Sequence, residues 1–176
     1  MQQGVLRRIN DKDKVSMIPN MSKSEIFYPR RIDMKINEKI DLNKFNVIHF
    51  GSMGPSNGLI YVLKAAKTLY REGDKSINFV FLGDGSEKTK LKAYAEINKL
   101  KNVNFISSKP MKETAEIVNS CDISIVSFKN IEILKTNSPN KFFDSLSAGK
   151  PIIVNSSGWT KELVEKGECG FYANPL

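Results

Sequence analysis

The sequence has few residues with which to bind a transition metal or to build a nucleophilic catalytic centre. It contains two cysteines, Cys121 and Cys169, in no CxxC pair, and a single histidine, His49. A structural zinc site needs about four Cys or His ligands at short spacing, so no such site is expected. His49 lies within an apolar, strand-like run, which favours a histidine satisfied in the core or at its rim. Two free thiols fit a reducing cytosol.

Long hydrophobic runs are also missing. No apolar stretch approaches the roughly 18 residues of a membrane-spanning helix, and no secretory leader is recognisable. We therefore expect a cytoplasmic protein that is at most peripherally associated with the inner face of the membrane.

Charge, by contrast, is abundant and unbalanced. The 27 Lys and Arg residues against 19 Asp and Glu residues give a formal net charge of +8, without a block of five like charges. This excess favours anionic partners but does not choose among nucleotides, nucleic acids and acidic membranes.

The common nucleotide-binding signatures are absent as well. Residues 51–58, GSMGPSNG, follow an apolar run but match neither GxGxxG nor the P-loop. Glycines such as Gly51 let backbone amides approach a bulky anion, although a plain strand-to-helix turn explains the loop equally well. The same two interpretations stay open for Gly83 in the GDGS loop at residues 83–86.

The sequence does contain a regular alternation of apolar runs and helical periods. Strands are predicted at residues 47–50, 77–82, 103–106, 122–126, 152–154 and 171–173, with helices between them. This alternation indicates an α/β fold, a Rossmann-like parallel sheet of about six strands with helices on both faces. We assign residues 45–176 to this domain and residues 1–44 to a crossover segment and linker with a short strand at 15–20. The polar loops should converge at the carboxyl ends of the strands, where such sheets bind ligands.

The most informative stretch is SPNKFFDSLSAGKPIIV at residues 138–154. Ser138 and Pro139 are typical of a helix start, and Gly149 followed by Pro151 is typical of its end. The large apolar side chains share one face of this helix. The opposite face is predicted to hold Lys141, Asp144, Ser145 and Ala148. A cation beside the positive helix end suits an anion, and a carboxylate one turn later suits hydroxyl groups, although a solvated ion pair is the alternative.

Together these patterns resemble the C-terminal, donor-binding domain of group 1 retaining glycosyltransferases of the GT-B fold. The resemblance extends from about residue 15 onward and is most specific at residues 138–152. A segment ending in Pro19 and Asn20, the glycine loop and residues 83–85 are also similar to the family pattern. The most similar members build capsule and O-antigen repeat units from amino-sugar donors.

The resemblance implies a nucleotide-sugar site, with a UDP-sugar as the expected donor and with neither a metal ion nor a cofactor. The positions that it implies for donor binding are Gly51, Ser52, Asn57, Gly83, Lys109, Pro110, Thr136, Ser138, Asn140, Lys141 and Asp144. Asp144 would hold the ribose. Lys141, Ser138 and the amides near Asn140 would hold the diphosphate. Backbone groups near Lys109 and Pro110 would contact the uracil.

Some of these positions depart from the family pattern. Asp144 replaces the second Glu of a Glu-x7-Glu pair that is common in the family, and Thr136 replaces the first, which meets the donor sugar. Ser52 and Asn57 stand where many members carry Arg and Lys. Lys141 is therefore expected to meet a larger share of the diphosphate charge.

The implied acceptor is a lipid-linked or free saccharide bound through a preceding domain, which is missing here, as are the family's last helices. The chain alone is therefore expected to bind the donor without transferring sugar. No nucleic acid is expected as a partner. Two alternatives stay open: a non-catalytic nucleotide- or nucleic-acid-binding module that uses the basic surface, and a UDP-amino-sugar epimerase-like domain.

Overall fold

The computed structural model describes residues 12–16, 18, 20–32 and 37–175. The sheet within them has six strands: β1 Phe45–Phe50, β2 Ile77–Leu82, β3 Val103–Ile106, β4 Ile123–Val126, β5 Ile152–Val154 and β6 Gly170–Tyr172. Their order is β3-β2-β1-β4-β5-β6, and every neighbouring pair is parallel. The predicted α/β fold is confirmed, and each strand boundary agrees with its prediction to within two residues.

Helices cover both faces of the sheet. They are α1 Ile60–Arg71, α2 Lys88–Ile97, α3 Met111–Asn119, α4 Asn140–Ser147 and α5 Trp159–Lys166. Successive residues of a strand point to opposite faces. Val47 of β1 accordingly packs in the core beneath α1 and α2, whereas Ile48 packs in a second core with residues of α3.

The chain changes direction across the sheet between β1 and β4. Strands β1 to β3 run outward on one side, and β4 to β6 run outward on the other. A crevice at such a switch point, at the carboxyl ends of the strands, is where open α/β sheets bind ligands. The loop after β1 and the helix α4 that follows β4 both start from this edge, so the predicted convergence of the loops is confirmed.

The segment before β1 differs from its prediction. The strand expected at residues 15–20 is not formed at residues 15, 16, 18 and 20, while residues 17 and 19 lie outside the described part of the chain. Further along, Phe27 and Ile40 are buried against Phe50 and the α3 side of the sheet. The division of the chain at residue 44 stays a prediction.

In the described part of the chain, no helix combines the length and the apolar character that crossing a bilayer requires. Nor do three or more His, Cys, Asp or Glu side chains come together there in a group suited to a metal ion.

Candidate functional site at the start of helix α4

Helix α4 begins differently from the sequence prediction. Ser138 does not cap it, because Pro139 occupies the N-cap position in an extended conformation and no side chain caps the helix. The carbonyl oxygen of Ser138 instead accepts a hydrogen bond from Asn20 Nδ2 at 2.6 Å. At the other end Gly149 has the predicted left-handed conformation, with a φ of 67°.

The apolar face of α4 packs as predicted. Phe142 is fully buried, and its ring meets Trp159 edge-on at 5.3 Å between centroids. Phe143 stacks on the same indole at 5.9 Å, and Trp159 Nε1 donates to the carbonyl of Asn137 at 3.0 Å. These contacts give Trp159 a packing role.

The opposite face of α4 is less exposed than predicted. Ser145 and Ala148 are both buried, whereas Lys141 and Asp144 keep part of their surface accessible. For Ala148 the reason is a second layer: residues 20–30, the N-terminal segment, run along this side of α4, and Phe27 packs with Ala148. The contacts of this segment with α4 include a hydrogen bond from Ser147 Oγ to the carbonyl of Phe27. Of the predicted polar face, only Lys141 and Asp144 therefore remain accessible to a ligand.

Lys141 lies in the crevice rather than in bulk solvent. Its Nζ is 3.3 Å from Nε2 of His49, near the end of β1. A Cβ placed on Gly51 would lie 3.7 Å from the same Nζ, so the ammonium sits against the first turn of the glycine loop. Burial lowers the pKa of Lys141 to about 8. Burial and then the Lys141 charge lower the pKa of His49, while backbone acceptors at Ser52 and Ile125 oppose this. The buried histidine predicted from the sequence is confirmed.

The glycine loop is built by close backbone packing. Gly51 has a φ of 98°, and a Cβ on Gly83 would lie 2.0 Å from the Gly51 carbonyl oxygen, so Gly83 must lack a side chain. The Gly51 amide donates to Leu82 at 2.8 Å, the Met53 amide to Asp84 at 2.7 Å and the Gly83 amide to Ile106 at 3.0 Å. These three amides are already engaged, which for them favours the plain strand-to-helix turn over contact with an anion.

Asn57 supports the loop from inside. Its side chain is buried, and Nδ2 donates to the carbonyl of Ser52 at 2.9 Å. The family resemblance implies a donor-binding role for Asn57, and this role stays a prediction; the structure shows that its amide also serves a contact within the loop. The Ser52 residue itself is exposed.

Asp144 lies one turn beyond Lys141 and is half-buried. Its Oδ1 accepts a hydrogen bond from Ser22 Oγ at 2.7 Å. Burial raises the pKa of Asp144, and the Ser22 hydrogen bond opposes that effect. Ser22 and Asn20 contact residues 122 and 118 positions away, so no local signal in the sequence could have identified them.

The remaining predicted residues lie around this centre. Thr136 and Asn140 are exposed, and Thr136 Oγ1 donates to the carbonyl of Ile133 at 3.0 Å. Lys109 pairs with Glu113 at 3.1 Å, and Pro110 directly precedes α3. Lys109 and Pro110 follow the edge strand β3, three strand spacings or roughly 14 Å from β4.

The geometry suits a ligand that carries both negative charge and hydroxyl groups. The first two amides of a helix have no acceptor within it, and here Lys141 adds a cation beside them. Lys141 and Asp144 are three residues apart, so their backbone positions are separated by a rise of about 4.5 Å along the helix axis. A carboxylate accepts hydrogen bonds from hydroxyl groups, so this face fits a nucleoside diphosphate.

Comparison with known families agrees with this class of fold. The sequence pattern of the glycosyl transferases group 1 family matches residues 31–175. The chain belongs to this family. Among curated protein sequences none matches the chain significantly.

Solved structures of similar fold are GT-B glycosyltransferases. A glycosyltransferase from Rickettsia africae superposes with a TM-score of 0.75 at 15% identity, over 99% of this chain and 47% of that one. Anabaena HepE in complex with UDP gives a TM-score of 0.74 at 18% identity, over 99% and 47%. The C-terminal domain of LpcC, a group 1 family protein from Francisella tularensis, gives 0.65 at 16% identity, over 86% and 79%. The chain thus spans less than half of the two longer proteins.

Proposed function

We propose that this chain is the donor-binding domain of a retaining glycosyltransferase that uses a UDP-sugar to build cell-surface polysaccharide. The observation that carries the proposal is that Lys141 and Asp144 are the residues of the polar face of α4 that stay accessible. Lys141 also lies against Gly51 at the switch point of the sheet. Structures of Anabaena HepE and Staphylococcus aureus TarM, both similar in fold, contain UDP. Family membership favours this function over the nucleic-acid-binding and epimerase-like alternatives.

In this proposal the diphosphate lies at the start of α4. Lys141 and the first-turn amides near Asn140 attract the phosphates, with Ser138 close by. As the bond to the sugar breaks, negative charge grows on the departing UDP. A cation and amide dipoles that are already in place stabilise this charge more in the transition state than in the ground state, which accelerates the reaction.

The other parts of the donor would extend from this anchor. Asp144 accepts hydrogen bonds from the ribose, with Oδ2 as the oxygen that Ser22 does not contact. The uracil lies toward Lys109 and Pro110, and Thr136 lies near the transferred sugar. No step in this scheme requires a cofactor or a metal ion.

The acceptor and the pathway follow from the family resemblance and are part of the proposal. A lipid-linked or saccharide acceptor would bind through another domain, on the cytoplasmic side and with peripheral attachment to the membrane. Capsule and O-antigen repeat units, with amino-sugar donors, are the products that the sequence pattern favours.

Isothermal titration calorimetry with UDP, GDP, ADP and uridine tests the proposal directly. We expect UDP to bind more tightly than uridine, because only UDP offers phosphates to Lys141, and more tightly than GDP or ADP. Equal affinities for UDP and uridine would exclude the phosphate site. Equal affinities for all three diphosphates would exclude selection of uracil.

A further inference from the structure

His49 is a buried titratable residue to which the proposed function gives no part. Its side chain is almost fully enclosed, yet its Nε2 lies 3.3 Å from Lys141 Nζ. The ring therefore forms the inner wall of the crevice, directly behind the cation that faces the ligand.

The two side chains in this contact differ in the hydrogen bonds that they can make. A lysine ammonium has three N–H donors and no acceptor, whereas a neutral imidazole has one donor nitrogen and one acceptor nitrogen. Burial next to a cation keeps His49 neutral. Nε2 lies 3.3 Å from two groups, the Lys141 ammonium and the carbonyl oxygen of Ser52. With the imidazole proton on Nε2 the ring would donate to Ser52 and turn an N–H group toward the buried ammonium. With the proton on Nδ1, the lone pair of Nε2 accepts from Lys141, and this is the form that stabilises the cation.

This hydrogen bond also explains how a long, flexible side chain stays in place. A buried ammonium without an acceptor is costly and tends to turn toward solvent or lose its proton. The imidazole supplies one acceptor from inside the protein. Two N–H groups remain for phosphate oxygens on the side of Gly51.

We infer that His49 is a positioning residue that holds Lys141 in the orientation that binds the diphosphate. The inference rests on the proposed function, because it requires Lys141 to contact phosphate. His49 acts through Lys141 and does not itself touch the ligand.

Three substitutions of His49 distinguish the loss of its hydrogen-bond acceptor from a change in packing. The amide oxygen of His49→Gln reaches the position of Nε2, whereas that of His49→Asn reaches only the position of Nδ1. His49→Phe fills the space without any acceptor. We expect His49→Gln to bind UDP within about twofold of the wild type, and His49→Asn and His49→Phe to bind it about fivefold to tenfold more weakly. Uridine affinity should change in none of them.

A double-mutant cycle with Lys141→Ala completes the test. If His49 acts through Lys141, His49→Phe should not weaken UDP binding further in the Lys141→Ala background. Equal losses in both backgrounds, or a His49→Gln variant as weak as His49→Phe, would overturn the inference while leaving the proposed function intact. An unchanged UDP affinity in Lys141→Ala alone would overturn both.

A matched control guards against general loss of stability. Asn102 is a buried polar residue just before the edge strand β3, away from His49. Its Nδ2 donates to the carbonyl of Ala66 at 3.0 Å. We expect Asn102→Ala to lower the thermal midpoint without changing the ratio of UDP to uridine affinity. If His49→Phe does not fold, His49→Leu removes the acceptor with a smaller side chain and is expected to give the same result.

Discussion

The two ends of the ligand-facing surface of α4 are built from different parts of the molecule. Lys141 is held from within the sheet, by His49 of β1 and the turn at Gly51. Asp144, one turn later, is held from outside the sheet by Ser22 of the N-terminal segment. Both His49 and Gly51 lie within residues 31–175, which match the family pattern, whereas Ser22 precedes them.

The proposed phosphate site and the proposed ribose site therefore depend on different parts of the chain. The cation depends on contacts that the strand order of the fold brings together. The carboxylate depends on the N-terminal segment, whose Ser22 precedes the residues that match the family pattern. Substitutions among the sheet residues that hold Lys141 should therefore change the affinity for phosphate. Substitutions in the N-terminal segment should change the affinity for ribose.

The largest expected effect is at the cation. Lys141→Ala should weaken UDP binding by about tenfold to a hundredfold, the value of a charge-assisted phosphate contact, and leave uridine binding unchanged. Lys150 is a matched control, because it is also partly buried, has a pKa lowered by burial and lies beyond the opposite end of α4. Calorimetry of Lys141→Ala and Lys150→Ala checks this, and an equal loss in both variants would contradict it.

The second-largest effect is expected at the carboxylate of Asp144. Asp144→Ala should weaken both UDP and uridine binding by about tenfold, and Asp144→Asn less, because the amide oxygen still accepts one hydrogen bond. We expect 2′,3′-dideoxy-UDP to bind the wild type poorly and not to distinguish it from Asp144→Ala. Glu116→Ala on α3 is the control carboxylate. Tight binding of the dideoxy nucleotide to the wild type would make Asp144 a surface residue only.

The charge state of Lys141 predicts how the affinity for UDP depends on pH. Because burial lowers its pKa to about 8, the residue loses its proton as the pH rises through that value. A neutral amine attracts phosphate weakly, so UDP affinity should be about tenfold lower at pH 9 than at pH 7. The terminal phosphate has a second pKa of about 6, so it gains a little negative charge over this range, which acts in the opposite direction to the predicted loss of affinity. Titrations at both pH values check this, and Lys141→Ala should remove the dependence; a dependence that persists in Lys141→Ala must come from another group.

The smallest effect is expected from the N-terminal segment. Ser22→Ala removes the hydrogen bond that orients Asp144, so UDP and uridine affinities should both fall by about twofold to fivefold. Ser24, which is exposed in the same segment, provides the control substitution Ser24→Ala. A loss confined to UDP would show that Ser22 affects the phosphate end and would break the comparison between the two ends.

Much of the fold could be predicted because its signals are local. The apolar runs gave the strands, and the spacing of Phe142, Phe143 and Leu146 gave the buried face of α4. The same spacing put Lys141 and Asp144 together on the accessible side. Periodicity along the chain is enough for these features, because it depends on neighbours within two turns.

The features that sequence reasoning missed share one physical cause. The sequence predicts that Ala148 is accessible, but it is buried against Phe27 of the N-terminal segment. The Asn57 side chain and the amides of Gly51, Met53 and Gly83 donate to the protein's own carbonyl groups, which the sequence does not reveal. Each of these features concerns a partner that is distant in sequence or a hydrogen bond that only the folded backbone reveals.

The central claim is that one face of α4 binds a nucleoside diphosphate with the phosphates at Lys141 and the ribose at Asp144. A crystal structure of the chain with UDP tests it most directly. We predict a phosphate oxygen about 2.7–2.9 Å from Lys141 Nζ and a ribose hydroxyl within hydrogen-bond distance of Asp144. UDP bound at another edge of the sheet, or with its uracil against Lys141, would contradict the account.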